Sequence, residues 1–427
     1  MKRTPFPPVF WIANSIEVLE RFAYYGIYMT FAIYMTHLGY SMAELGVVQS
    51  IFLLFSYMIP IISGTFADRF GFKKMFFVAY LAYLPAILLL MVTKTFSGIA
   101  LTMLTIGFAA GIFKPLVSAT VRAVTDKSNK TLGFGIFYAM VNIGGTFGPI
   151  VAGNLRAISW NYAFIAAAIS VCVMFLITLF FYKEPPRDIE GETLGKKFKN
   201  IGVALSDPKF TSFLLIIGFM FWLPLWSFYN IAPQYVDKYL DTAGLYQWLK
   251  NIFGSGFASV FAGEEKGVWR VLGETVASPA YFIIIFQLIV SWASGKLKAL
   301  PAIMLGLVIA ASGFLLLAQS YFSMPALVFL AVFFYGVGEM ATAPRIQEYI
   351  TWIAPKEKAG LYMGTYFLST AIGAVFSGVT YTTLYGYYIK LNHPEYIWYT
   401  LAAHLVLGSG AIYLFLKYAG EFKEQEI

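Results

Sequence analysis

The sequence predicts an all-α polytopic membrane protein, with twelve transmembrane helices in two six-helix bundles. Three observations carry this. The chain of 427 residues is 59% hydrophobic and only 12% charged, where soluble domains carry about 25% charge. Apolar runs of about 20 residues, the length that crosses a bilayer, recur from one end to the other. A single polar, charged stretch, residues 183–208, divides those runs six and six. Within lipid, backbone groups must be satisfied inside each segment, so the runs read as helices and a soluble multidomain chain is excluded.

The expected spans are 9–37, 42–66, 74–93, 97–121, 131–154 and 160–182, then 210–236, 272–294, 300–319, 324–352, 358–383 and 395–418. The domains follow: a bundle over 1–182, a linker over 183–208, and a bundle over 209–427 interrupted by a long loop, 237–270. In that loop Tyr246–Phe261 reads as an amphipathic interfacial helix. One set of loops holds Arg69, Lys73, Lys74, Arg122, Lys127, Lys130, Lys183, Arg187, Lys196, Lys197, Lys199, Lys296, Lys298, Lys356 and Lys358. The opposite set holds only Lys94, Arg156, Lys238, Lys250, Lys266, Arg270 and Lys390. The richer set is expected inside, with both termini, in a prokaryotic-type plasma membrane. The net charge of +8 follows these loops and implies no nucleic-acid partner. No cleavable signal is expected, because the first apolar run contains charges. Cys172 is the only cysteine, so no disulfide forms within the chain.

The first span breaks the apolar rule. Glu17, Glu20, Arg21, Tyr24 and Tyr28 fall at steps of 3, 1, 3 and 4 and share one helix face. Charges at bilayer depth are costly and face a bundle interior or a wet cavity. Glu17 and Glu20 cannot both be comfortably ionised beside one Arg21. One acid is expected to pair with Arg21, and the other is a candidate proton carrier. Lys114 is mid-span and needs a counter-charge. Glu339, mid-span in the other half, is one candidate, with Glu17 and Glu20 in competition. Arg345 and Glu348, three apart, read either as a local pair or as an inner gate. Glu274 opens the eighth span and is expected at the interface.

Gly64-Thr65-Phe66-Ala67-Asp68-Arg69-Phe70-Gly71-Phe72-Lys73-Lys74 resembles the loop signature of the major facilitator superfamily. Asp68 and Arg69 can hold neighbouring helix ends by charge-assisted bonds. The counterpart in the second half, Ser294-Gly295-Lys296-Leu297-Lys298, is degenerate. Glu17-x-x-Glu20-Arg21-Phe22-x-Tyr24-Tyr25-Gly26 resembles the first-helix signature of the proton-dependent oligopeptide transporters within that superfamily. Gly111–Ser118, around Lys114, and Phe137–Gly145, around Asn142, resemble that family's fourth- and fifth-helix motifs. Gly338-Glu339-Met340, Ala354-Pro355, Lys358-Ala359-Gly360 and Met363–Leu368 continue the likeness into the second half.

The resemblance implies the major facilitator fold and a proton-coupled symporter that imports small peptides or peptide-like zwitterionic or anionic solutes. It implies proton coupling through Glu17, Glu20, Arg21, Lys114 and Glu339, with Lys114 and Glu339 paired across the halves. The implied pocket uses Arg21, Tyr24, Tyr25, Tyr28, Tyr57, Lys114, Asn142, Trp226, Ser278 and Glu339. Its two cations would suit a substrate carboxylate. Three departures stand out. Tyr28 occupies the position of the family's second arginine. Thr275-Val276-Ala277-Ser278-Pro279 lacks the expected Gln and Asn. The linker is too short for the extra helix pair of bacterial members.

The expected partners are a small-molecule substrate, protons and the lipid bilayer, with the chain acting as a monomer. No cofactor is expected. A phosphate-binding loop is absent, so the drive would be a proton gradient and not ATP. No metal-ligand spacing or nucleophile set points to an enzyme. His37, His393 and His404 read as packed or interfacial. Two rivals stay open: a proton-antiporting exporter of drugs or lipid-like amphiphiles, and a non-transporting membrane receptor or scaffold.

Overall fold

Each apolar run folds as a helix for the reason that predicted it: in lipid, only helical pairing satisfies every backbone group locally. The structure is a computed structural model. It describes residues 5–126, 129–185, 193–322, 324–353, 359–420 and 422. The motif stretch Ala354-Pro355 to Lys358, together with Lys127 and Arg187, lies outside the described residues.

The first half comprises α1 (Pro8–His37), α2 (Met42–Phe70), α3 (Phe72–Val92), α4 (Phe96–Ala123), α5 (Lys130–Ile158) and α6 (Trp160–Phe180). Pro8 starts α1, where its missing N–H costs nothing. A capping box of Ser41 and Glu44 starts α2. In the second half, α8 (Pro208–Ile217) runs through a π turn, Gly218–Trp222, into α9 (Leu223–Tyr239). Next come α13 (Ala280–Ser294), α14 (Ala299–Gln319) and α15 (Leu327–Ile353). Then α16 (Ala359–Ser377) passes through a π turn, Gly378–Thr382, into α17 (Thr383–Lys390), before α18 (Tyr396–Ala419). Among the described residues, eleven helices have the length and apolarity to cross a membrane. The remaining long helix, α1, is the one that carries Glu17, Glu20 and Arg21.

Within the first half, α1 packs on α5 and α6, α2 on α4, and α3 on α4 and α6. In the second, α14 packs on α15 and α18, and α13 on α15. Across the halves, α2 meets α16, α1 meets α9, and α5 meets α13. Leu288, Val92 and Leu407 project outward with other large apolar side chains, the surface a bilayer covers.

Three expectations need correction. The polar stretch 183–208 contains a helix, α7 (Leu194–Leu205), and the Glu184 carboxylate caps α3, accepting from the N–H groups of Phe72 at 2.6 Å and Lys73 at 2.9 Å. The single interfacial helix expected over Tyr246–Phe261 is two pieces, α10 (Thr242–Phe253) and α11 (Ser255–Val260). Gly254 between them sits at φ +84, a conformation that favours glycine. A two-stranded hairpin, Ala262–Glu265 with Val268–Val271, follows. The eighth span is also broken: α12 (Gly273–Val276) stops at Ala277-Ser278-Pro279 before α13 begins.

Candidate functional site

The end of the molecule that carries the α1–α2 turn and residues 237–272 is called here the distal end. His37, Arg156, Asp237 and Glu265 line one depression there. The hydrogen bonds between the halves gather from the middle of the molecule towards this end. Tyr28 donates to Asn230 Oδ1, and Asn230 donates to Ser377 Oγ at 2.9 Å. Ser50 donates to the Val375 carbonyl at 2.6 Å, and Val379 N–H donates back to Ser50 Oγ at 3.1 Å. Gly46 and Gly378 permit this seam, since a Cβ on either would overlap the other's carbonyl oxygen. Tyr28, standing where the resemblance led one to expect arginine, therefore ties the halves through a neutral hydrogen bond.

The strongest tie is ionic. Arg156, on the last turn of α5, is buried against three carboxylates of the second half. Its Nη2 lies 2.7 Å from Asp237 Oδ1, its Nη1 2.9 Å from Glu265 Oε1, and its Nε 2.5 Å from Glu274 Oε1. A second Glu274 contact, from Nη2 to Oε2, is 2.9 Å. Arg270 backs the group, donating to Glu265 Oε2 at 3.3 Å. Gly153, one turn earlier on α5, makes room: a Cβ there would sit 2.7 Å from Glu274 Oε1. Sequence reasoning placed Arg156 in a loop and Glu274 at an interface. In fact α5 extends four residues further than expected, to Ile158, and Glu274 is fully buried. Its available signal was a carboxyl and an arginine at the ends of adjacent apolar runs.

At mid-depth, Glu17, Glu20, Arg21, Tyr24 and Tyr28 are all buried on one side of α1. Both acids approach the same cation, so the expectation of a single pair is corrected. Arg21 Nε lies 2.9 Å from Glu17 Oε1 and 2.7 Å from Glu20 Oε2, and neither contact has hydrogen-bonding alignment. Tyr83 of α3, which sequence reasoning missed, donates to Glu20 Oε1 at 2.6 Å. Lys114 does not pair with Glu339. Its ammonium donates to Ser56 O and Ser56 Oγ, both at 3.1 Å, and stands 3.7 Å from the centre of the Tyr57 ring. Glu339 accepts a hydrogen bond from Tyr229 at 3.1 Å. The reason is steric as well as electrostatic: the hydroxyl and carbonyl of α2 and the ring faces of Tyr24 and Tyr57 already surround the ammonium.

Glu339 opens onto a central cavity of about 200 Å³ between the halves. Tyr25, Tyr57, Asn142, Trp226 and Ser278, all expected in the pocket, line it. Tyr24, Tyr28, Arg21 and Lys114 do not. Tyr138, Trp222, Tyr229 and Gln347 line it unforeseen. Trp226 meets Tyr57 edge-on, with ring centres 5.2 Å apart, and Tyr229 at a tilt, 5.5 Å apart.

The other expected residues lie elsewhere. Arg69 is exposed and rests on Phe70, 5.5 Å from its ring centre, and Asp68 is half-buried. Arg345 pairs with Glu348 and donates to the Leu297 carbonyl at 2.6 Å. Those bonds fasten α15 to the α13–α14 turn inside one half, the contacts that the local-pair reading expects. His404 is hydrogen-bonded on both ring nitrogens, to Tyr381 and to the Phe219 carbonyl at 2.8 Å.

The family model of the Major Facilitator Superfamily matches residues 15–378. The chain belongs to the major facilitator superfamily. It is an integral membrane transporter of that fold. Among solved structures it is similar to a POT family transporter in complex with 5-aminolevulinic acid, at TM-score 0.76 and 19% identity over 95% of each chain. It is also similar to a peptide transporter POT in complex with sulfate, at TM-score 0.77 and 18% identity over 98% of this chain and 96% of that one. The expected POT-like form of the fold is thus borne out. Relatives by sequence carry other names. Multidrug resistance protein 1 of Bacillus subtilis (strain 168) is 23% identical over 85% of each chain. Quinolone resistance protein NorA of Staphylococcus aureus (strain MSSA476) is 22% identical over 57% of this chain and 66% of that protein, just under two thirds of its length.

Proposed function

We propose that this major facilitator protein is a proton-coupled secondary transporter that carries small amine-bearing solutes, peptide-like ones among them, by alternating access through the central cavity. One observation carries the reading. Buried ionisable residues from both halves, Glu17, Glu20, Arg21 and Lys114 on one side and Glu339 on the other, flank a cavity whose distal side is tied shut. Gain or loss of a proton by a buried carboxyl changes the cost of keeping it from water, so protonation can bias one closed end over the other. With the distal end as the outer face, as the positive-inside pattern expects, this conformation is closed to the outside. The Arg156 cluster then acts as the outer latch.

The first reading is symport into the cell. The test is uptake into proteoliposomes under an imposed proton gradient. Labelled small amines, peptide amides among them, should accumulate, and an uncoupler should abolish it. Accumulation indifferent to the gradient rejects the coupling. The second reading is antiport of drugs or amphiphiles. It is supported by the aromatic lining of the cavity and by the printed names of the two sequence relatives. It predicts that an acid outside drives substrate out.

A further inference from the structure

Resting on that reading of the cavity as the substrate site, we infer that the solute it selects is a small organic monocation: an amine with an apolar or aromatic body and no carboxylate. The argument begins with an inventory of charge. Among the described residues, Glu339 is the single carboxylic acid of the lining, and neither an arginine nor a lysine lines the cavity. The two cations that a substrate carboxylate would need are committed elsewhere. Arg21 sits between Glu17 and Glu20. Lys114 is held by Ser56 and lies behind the Tyr57 ring. A carboxylate entering this space would lose its hydration next to Glu339 with no positive partner. Desolvation of an unpaired charge beside a like charge is strongly unfavourable.

An ammonium meets the opposite situation. Glu339 is its counter-ion, and the aromatic side chains Trp226, Tyr229 and Tyr138 belong to the same lining. Such rings attract a desolvated cation. Tyr57 adds less, because Lys114 already occupies one of its faces. The size is restrictive too: about 200 Å³ is below the roughly 300–1,000 Å³ of drug-sized pockets.

Three related probes separate the possibilities: phenylalaninamide has the amine and a neutral amide, phenylalanine has a carboxylate in place of that amide, and N-acetylphenylalanine keeps the carboxylate but loses the basic amine. Binding is read by quenching of tryptophan fluorescence in purified protein reconstituted in nanodiscs. Phenylalaninamide should bind at least ten-fold tighter than phenylalanine, N-acetylphenylalanine should not compete, and Glu339→Gln should weaken phenylalaninamide ten-fold or more. A thermal-shift measurement checks that the Glu339→Gln variant is folded. Equal or tighter binding of either carboxylate overturns the inference, as does absence of binding by all three, or amide binding that ignores Glu339→Gln. Flux distinguishes the two claims. Proton-driven uptake of dialanine without amide binding sinks this inference and leaves the transport proposal standing. Amide binding with no proton-dependent flux of any solute does the reverse.

Discussion

Removing the guanidinium of Arg156 should open the distal end. In the closed seam, Arg156 is the shared counter-ion of Asp237 and Glu274, whose side chains are 6% and 0% exposed. Substitution Arg156→Ala leaves both carboxylates buried and unpaired. Removing one partner of a buried ion pair costs about 3–5 kcal/mol. When the halves part at this end the carboxylates meet water, and that cost falls away. The closed state therefore loses at least about 3 kcal/mol relative to the open one, roughly a hundred-fold in population at about 1.4 kcal/mol per decade. Spin labels on Asn161→Cys and Lys390→Cys, in a Cys172→Ser background, report the separation of the two halves at this end. The expected result is a new population at longer distance. Arg156→Lys, which keeps the charge but loses the forked geometry, should fall between wild type and alanine. Arg270→Ala should change the distance little, since its side chain is 28% exposed and its bonds, to Glu265, Thr242 and the Asp237 carbonyl, all lie within the second half. An unchanged distance distribution in a folded Arg156→Ala protein would refute the latch.

Three further outcomes are expected. Gly46→Val, whose new side chain would collide with Gly378, should shift the same spin-label pair in the same direction without touching any charge. Lys114→Ala, Glu339→Gln and Glu20→Gln should each abolish proton-driven accumulation in proteoliposomes while counterflow partly survives. Wild-type accumulation in all three would remove them from the coupling path. Tyr83→Phe deletes the 2.6 Å hydrogen bond to Glu20 and should destabilise the protein by about 1.5–3 kcal/mol, seen as a lower Tm in detergent. An unchanged Tm would show that the bond contributes nothing net.

The charged face of α1 was legible in the sequence because helical periodicity alone places Glu17, Glu20, Arg21, Tyr24 and Tyr28 together. Glu339 was legible because a mid-span carboxyl has few tolerable positions other than a cavity wall. Partner choice was not. Lys114 had three candidate acids in the chain, yet a serine and two tyrosine rings from neighbouring helices took it. No one-dimensional spacing reports which rings stand against an ammonium. The Arg156 cluster was missed for a related reason. Its members come from α5, α9, the hairpin and α12, and each alone resembles an ordinary helix-end charge.

By itself the sequence determined that this is a membrane protein of long apolar helices, and which helix carries charge among them. Those follow from hydration costs summed along a segment, which any local run of residues expresses. Only the tertiary structure decided which buried charges neutralise one another and which single carboxyl is left facing the cavity. That outcome depends on distances of a few ångströms between residues hundreds of positions apart, where small shifts of helix packing change the winner.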